Sequence, residues 1–462
     1  MTKKLPLSLT LLLVSACAVG PDYVKPPVDT PPAFKEAGEW KLATPQDAAD
    51  NVAWWEIYHD PILNALEKQI DISNQTLKQS EAAYRAAVDI ADQTRAGLFP
   101  TVGVTPSATR SGTGTHKAVT TYDLSAGAGW TLDIWGRIRR TLESNEANAQ
   151  ASAADIASAR LSAQSELATD YFSLRVQDQL QRLLDETVKD DEKILAIVKN
   201  QYAVGVAAQS DVLAAQTTAE SAHATEVGVG VAHAQLEHAI AVLIGRAPSE
   251  FTLASTKEVG HVPMIPAQIP SVLLERRPDI ASAERQMAAS NALIGVAIAA
   301  YYPNVTLSAS YGFSANMLGQ LFNAASTLWA FGASASETVI DFGARDAATD
   351  EARANFDGSV AFYRQTVLTA FQNVEDNLAA QRILVDQEKA QTVATADARK
   401  SEEVAVNQYK EGIVPYNNVL SAQVIRLADE QASLTVLGNR LSASVALVEA
   451  LGGGWSVKQL PQ

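Results

Sequence analysis

The chain has 462 residues, is 47% hydrophobic, and carries 36 basic against 52 acidic side chains, a net charge of −16. Such a surface repels phosphate backbones, which excludes nucleic acid as a partner, while the apolar content suffices for a large buried core. The length fits two or three compact domains or one elongated body.

The chain opens with the basic run Met1-Thr2-Lys3-Lys4, followed by a mostly apolar stretch from Leu5 to Val14 and then Val14-Ser15-Ala16-Cys17. This is the pattern of an export signal over residues 1–16, too short to be a spanning helix. Leu13-Val14-Ser15-Ala16-Cys17 resembles the bacterial lipobox. That resemblance implies a mature chain starting at an acylated, palmitate-bearing Cys17. Cys17 is the only cysteine, so acylation leaves no thiol for a disulfide or for catalysis. Residues 17–53 contain Pro21, Pro26, Pro27, Pro31 and Pro32 and read as an extended tether between lipid and folded body.

Beyond an Ala-rich helical stretch, apolar and polar residues begin to alternate. Val102, Val104 and Ala108 do so weakly. From Thr121 to Asp133 the even positions are Tyr122, Leu124, Ala126, Ala128, Trp130 and Leu132, and the odd ones are Thr, Asp, Ser or Gly. A period of two marks strands with two different environments, predicted over about 101–115 and 119–133. A proline-free stretch from Arg137 to Tyr202 follows, with apolar residues at coiled-coil spacing. It predicts a helix about 100 Å long. The alternation returns at Val305, Leu307, Ala309, Tyr311 and Phe313, and at Trp329, Phe331, Ala333 and Ala335, predicting strands over about 303–316 and 325–341. A second long helix is predicted from Ala344 to Tyr409.

Strands of about ten residues fit either the half-buried sheet of a soluble domain or a tilted membrane-spanning sheet. In a membrane, four strands leave two unpaired edges and cannot close, so several chains must share one barrel.

The plan occurs twice. Asn200-Gln201-Tyr202, Gly205, Val212 and Leu213 recur as Asn407-Gln408-Tyr409, Gly412, Val419 and Leu420, from 200 to 407, an offset of 207; Gly136 and Gly343 share it. Leu98-Phe99-Pro100-Thr101-Val102 matches Tyr301-Tyr302-Pro303-Asn304-Val305, from 98 to 301, an offset of 203. The two repeats are placed at 54–260 and 261–462, and two copies of one unit imply a pseudo-symmetric shell.

Catalytic chemistry finds little support. The six histidines include no pair at i, i+4, so no metal is expected, and Gly228-Val229-Gly230 lacks the third glycine of a dinucleotide loop. Asp190-Asp191-Glu192 and Glu402-Glu403 read as solvated helix faces. No enzyme activity and no cofactor are expected.

Leu273-Leu274-Glu275-Arg276-Arg277-Pro278-Asp279-Ile280, Ala283-Glu284, Ile294-Gly295-Val296-Ala297 and Tyr302-Pro303 give a specific resemblance, joined by Trp54-Trp55, Asp60-Pro61 and Gly20-Pro21-Asp22-Tyr23. The chain resembles the TolC/OprM-like outer-membrane factors of tripartite efflux pumps over nearly its whole mature length. That resemblance implies a mainly α fold with membrane β: a homotrimeric, twelve-stranded outer-membrane barrel, four strands per protomer, continuous with a periplasmic α-helical barrel. It implies a passive duct for small toxic compounds, in contact with outer-membrane lipid, that works with a periplasmic adaptor and an inner-membrane transporter. Tyr122, Trp130, Tyr311 and Trp329 then face lipid or its interfaces. The resemblance also places the gate and adaptor-docking region at the repeated turns, with Tyr202, Gly205, Asp211, Tyr409, Gly412, Tyr416 and Asn418. Some relatives carry acidic residues in the second turn, where this chain has Asn418 and Ser421. A duct for secreted polypeptide and a soluble coiled-coil lipoprotein remain as alternatives.

Overall fold

The computed structural model describes residues 18–37, 53–114, 117–257, 259–263, 265, 276–456 and 460. Residues 1–17, and with them Cys17, lie outside the described residues. Asp60 starts the first helix, α1 (Pro61–Ser73), by accepting from the amides of Ile62 and Leu63, with Pro61 in the first turn where its missing N–H is harmless. Asn74 caps α2 (Gln75–Ala96) through the amide of Leu77. Then come β1 (Thr101–Ser111), β2 (Val119–Leu132), α3 (Arg137–Ala203) and α4 (Gln209–Leu243). The second half repeats the plan with α5 (Pro278–Ala299), β3 (Asn304–Ala315), β4 (Thr327–Ser336), α6 (Ala344–Lys410) and α7 (Tyr416–Ala450).

The repeat seen in the motifs is a repeat of geometry. α3 and α6 are both 67 residues, about 100 Å at 1.5 Å per residue, and α4 and α7 are both 35. The joints repeat as well. Asn74 Nδ2 donates to the carbonyl of Leu243 at 2.8 Å where the end of α4 meets the start of α2, and Arg277 Nη1 donates to the carbonyl of Ala450 at 3.0 Å where α7 meets α5. Each contact gives a helix-end carbonyl the partner that its own helix cannot supply.

The four strands form one antiparallel sheet in the order β1-β2-β3-β4, so β1 and β4 are edges. All four strands are shorter than the alternation suggested, β2 by a single residue. β1 stops at Ser111, before Gly112 and Gly114; β3 runs 304–315, Pro303 having no amide to give a ladder. β4 is the largest departure, running 327–336 rather than to 341: Asp341 turns to the start of α6, accepting from the amides of Gly343 and Arg345 and from Arg345 Nε.

The main core lies halfway along the long helices. Trp54, Trp55, Tyr58 and Leu63 pack there against Leu167, Tyr171 and Phe172 of α3, Tyr363 and Val367 of α6, and Leu441 and Val445 of α7. Burying each such side chain contributes about 1.5–3 kcal/mol. A second cluster holds the far tip: Ile194, Val198, Ala215, Tyr409, Tyr416 and Val419. No helix among the described residues is long and apolar enough to cross a membrane.

Candidate functional site

Two regions combine unusual surfaces with shared geometry: the sheet and the tip. In an antiparallel ladder, directly opposed residues lie on the same face. One row reads Val104, Ala126, Tyr311, Trp329, the next Val102, Ala128, Ala309, Phe331, and further rows add Trp130 with Leu307 and Ala333, and Leu124 with Phe313. These rows are apolar, polar side chains on this face coming only toward the far end of the sheet, at Arg110 paired with Thr120 and at Thr327 beside Phe313. The opposite face pairs Ser107 with Asp123 and Ser314, Gly103 with Gly127 and Ser310, and Thr306 with Ser334. Asp123 accepts there from Ser107 Oγ at 3.1 Å and Ser314 Oγ at 2.6 Å. The apolar face is bare, with Trp329 77% and Phe331 73% exposed. A soluble domain would cover such a patch. Tyr122, Trp130, Tyr311 and Trp329 all lie on this face.

At the tip, the turns after α3 and α6 are superposable in their hydrogen bonds. Gly205 N donates to Tyr202 O and Val206 N to Gln201 O; Gly412 N donates to Tyr409 O and Ile413 N to Gln408 O. This is a Schellman ending, which places a residue with positive φ after the helix, here Gly205 at 79° and Gly412 at 74°. A side chain at either position would meet nothing within 4 Å, so backbone conformation alone accounts for these glycines.

The equivalent side chains differ. Tyr202 is exposed, whereas Tyr409 is buried and tilts against buried Tyr416 with ring centroids 5.5 Å apart. Burial, with Asp191, Tyr409 and Asp211 nearby, pushes the Tyr416 phenol up to about 12. Asp211 supports the start of α4 by accepting from the amide of Ala208 at 3.4 Å. Its repeat counterpart Asn418 is exposed.

One level above lies a network that no local motif betrays. Asp191 of α3, read above as part of a solvated face, is only 4% exposed and accepts from Gln423 Nε2 of α7 at 2.7 Å, joining the two repeats. Arg426 of α7 pairs with Glu402 of α6 and with Glu430, which also accepts from Arg399 Nε at 2.6 Å. Glu402 is thus an ion-pair member, not a free solvated carboxylate. Burial pushes the Asp191 carboxyl up to about 6, Arg426 opposing and Glu402 adding to the rise. Among the described residues no group of three His, Cys, Asp or Glu could hold a metal ion.

A two-faced edge-bearing sheet carried on helices of about 100 Å is the protomer of an outer-membrane channel, in which the sheets of three chains close one barrel above a helical barrel. The chain belongs to the outer membrane efflux protein family, whose model matches residues 66–246 and 269–453, one stretch in each repeat. It is 30% identical over 469 residues to the "Probable efflux pump outer membrane protein TtgC" of Pseudomonas putida, covering 98% of this chain and 96% of that protein. It is 31% identical over 477 residues to the "Solvent efflux pump outer membrane protein SrpC" of Pseudomonas putida, covering 99% of each. The solved structure of the outer-membrane channel OprN superposes with a TM-score of 0.88 at 29% identity, covering 95% of this chain and all of that one.

Proposed function

We propose that the chain is a lipid-anchored, homotrimeric, passive exit duct for small toxic compounds, delivered to it by an inner-membrane transporter through a periplasmic adaptor. The observation that carries this reading is the sheet: one face apolar and bare, the other small and polar, both edges unpaired. The small-molecule reading draws on the solvent named for a relative. Anchoring at Cys17 is supported by the next residue. Ala18 lies so close to Gly136 that a Cβ there would come within 2.7 Å of it, and Val19 N donates to Trp135 O at 3.1 Å. Trp135 stacks on Tyr302 at 4.6 Å where sheet gives way to helix, and two aromatic rings at that level suit a membrane interface, which supports an anchor attached just before Ala18.

The tip is the gate and the adaptor-docking region in this reading, with exposed Tyr202, Gly205 and Asn418 on its surface, and with Asp211, Tyr409, Gly412 and Tyr416 holding the turns. Deletion of the gene is the test: cells should become more sensitive to solvents, dyes or antibiotics, and the mature N-terminal peptide of the native protein should carry an acyl mass that Cys17→Ser lacks. Unchanged sensitivity across a broad panel overturns the efflux reading, and an unmodified peptide overturns the anchor.

A further inference from the structure

The two loops at the far end of the sheet differ in chemistry. Between β1 and β2 the described residues Gly112, Thr113, Gly114, Lys117 and Ala118 are small or polar; between β3 and β4 the chain runs Asn316-Met317-Leu318-Gly319-Gln320-Leu321-Phe322. The second loop is locally organised, with a short turn at Leu318–Gln320 and Ser326 Oγ donating to Gln320 O at 2.9 Å. It meets the sheet on the apolar side: Phe322 packs edge-on against Phe313 at 5.4 Å, Phe313 belongs to the apolar face, and the neighbouring Leu321 is buried.

There is a reason for the loop to lie on that side. β4 begins only at Thr327, opposite Phe313, so Ser314 and Ala315 of β3 have β2 on one side and no strand on the other. Phe322, packed on Phe313, extends the apolar surface of Phe313, Tyr311 and Trp329 toward that end of the sheet. Met317, Leu318 and Phe322 nevertheless remain 62–69% exposed. An apolar cluster continuous with a lipid-facing surface is buried by the same lipid.

We propose that residues 316–326 are a membrane-seated segment: the loop lies on the outside of the barrel and sinks Met317, Leu318 and Phe322 into the outer leaflet, instead of folding over the channel mouth. The β1–β2 loop stays in water. The proposal rests on the membrane reading of the sheet, and its test separates the two.

Leu318→Cys, Phe322→Cys, Gly114→Cys and Ala333→Cys are each made in the full chain, spin-labelled and reconstituted as assembled protein in phospholipid vesicles. The unsubstituted chain sets the labelling background. Collision with oxygen, which partitions into lipid, is compared with collision with a water-soluble nickel chelate. Labels at 318 and 322 should favour oxygen several-fold more than the label at 114, and resemble the label at 333 on the apolar face of the sheet. If 333 reports lipid while 318 and 322 meet the nickel chelate as 114 does, the loop is in water and the proposal fails. Shielding of 318 and 322 from both probes means a protein neighbour and overturns it equally. Nickel access at 333 would sink the membrane reading itself.

Discussion

Gly412 and Gly452 both follow the end of a long helix with positive φ, 74° and 91°, yet they answer to different constraints. Around Gly412 there is open space, so Gly412→Ala should cost only the left-handed backbone, roughly 1–2 kcal/mol. A Cβ at Gly452 would lie 2.1 Å from the carbonyl oxygen of Arg276, so Gly452→Ala must push α7 away from α5. Membrane fractions should contain near-normal Gly412→Ala and little Gly452→Ala; equal amounts would show that the joint can yield. Asp191 adds a pH dependence. Its carboxyl titrates at about 6 in the folded chain against about 4 unfolded, so the folded state holds the proton more tightly. This contribution to stability is therefore greatest in acid and is lost as pH rises from about 4 through about 6. Asp191→Asn keeps an acceptor for Gln423 Nε2 and removes the titration. Its thermal midpoint relative to the parent should rise between pH 4 and 7, as followed by helical circular dichroism, and a difference independent of pH would refute the assignment.

At the scale of elements, neighbouring positions on one strand should have opposite tolerances. Ala309 pairs with Ala128 and Phe331 on the apolar face, while Ser308 pairs with Gly129 and Gly332 on the polar one. Ala309→Arg puts a cation against hydrocarbon, at about 2–4 kcal/mol near the bilayer midplane, whereas Ser308→Arg meets water. Folding yield into vesicles should drop for the first alone, and single-channel cation conductance should drop for the second. The pairing behind this contrast was legible in the sequence because a sheet with two solvents must alternate at period two. The long helices were legible for a related reason: Tyr202 and Tyr409, like Gly205 and Gly412, recur at one spacing over repeats built alike. Side-chain partners across the repeats were not. Asp191 and Gln423 are 232 residues apart, and the local sequence around Asp191 has the charge of an ordinary solvated helix. Nor could the motif distinguish Tyr202 from Tyr409: their turns bond alike, but Tyr409 is buried in the tip cluster with Ile194, Val198 and Tyr416, the last of which replaces Gln209 of the first repeat.

For the whole molecule, closure decides the assembly. At about 4.8 Å per strand and a tilt near 40°, eight strands make a ring about 16 Å across and twelve a ring about 24 Å across, measured between backbones. Eight-stranded barrels are filled by their own side chains, but the inward rows here, mostly Ser, Thr and Gly with Asp123 and Leu328 among the larger exceptions, are too small to fill one. Twelve strands leave those residues lining water, and they require three chains of four. The protomer alone has no stable membrane form, since β1 and β4 would expose unpaired backbone to lipid. Native mass spectrometry of the detergent-extracted protein should therefore give three copies. Because sheet and assembly stand or fall together, loss of the trimer and loss of β signal on heating should coincide, at a temperature that rises with protein concentration. A folded monomer that keeps its sheet in detergent, or a stable dimer, would overturn the shared barrel.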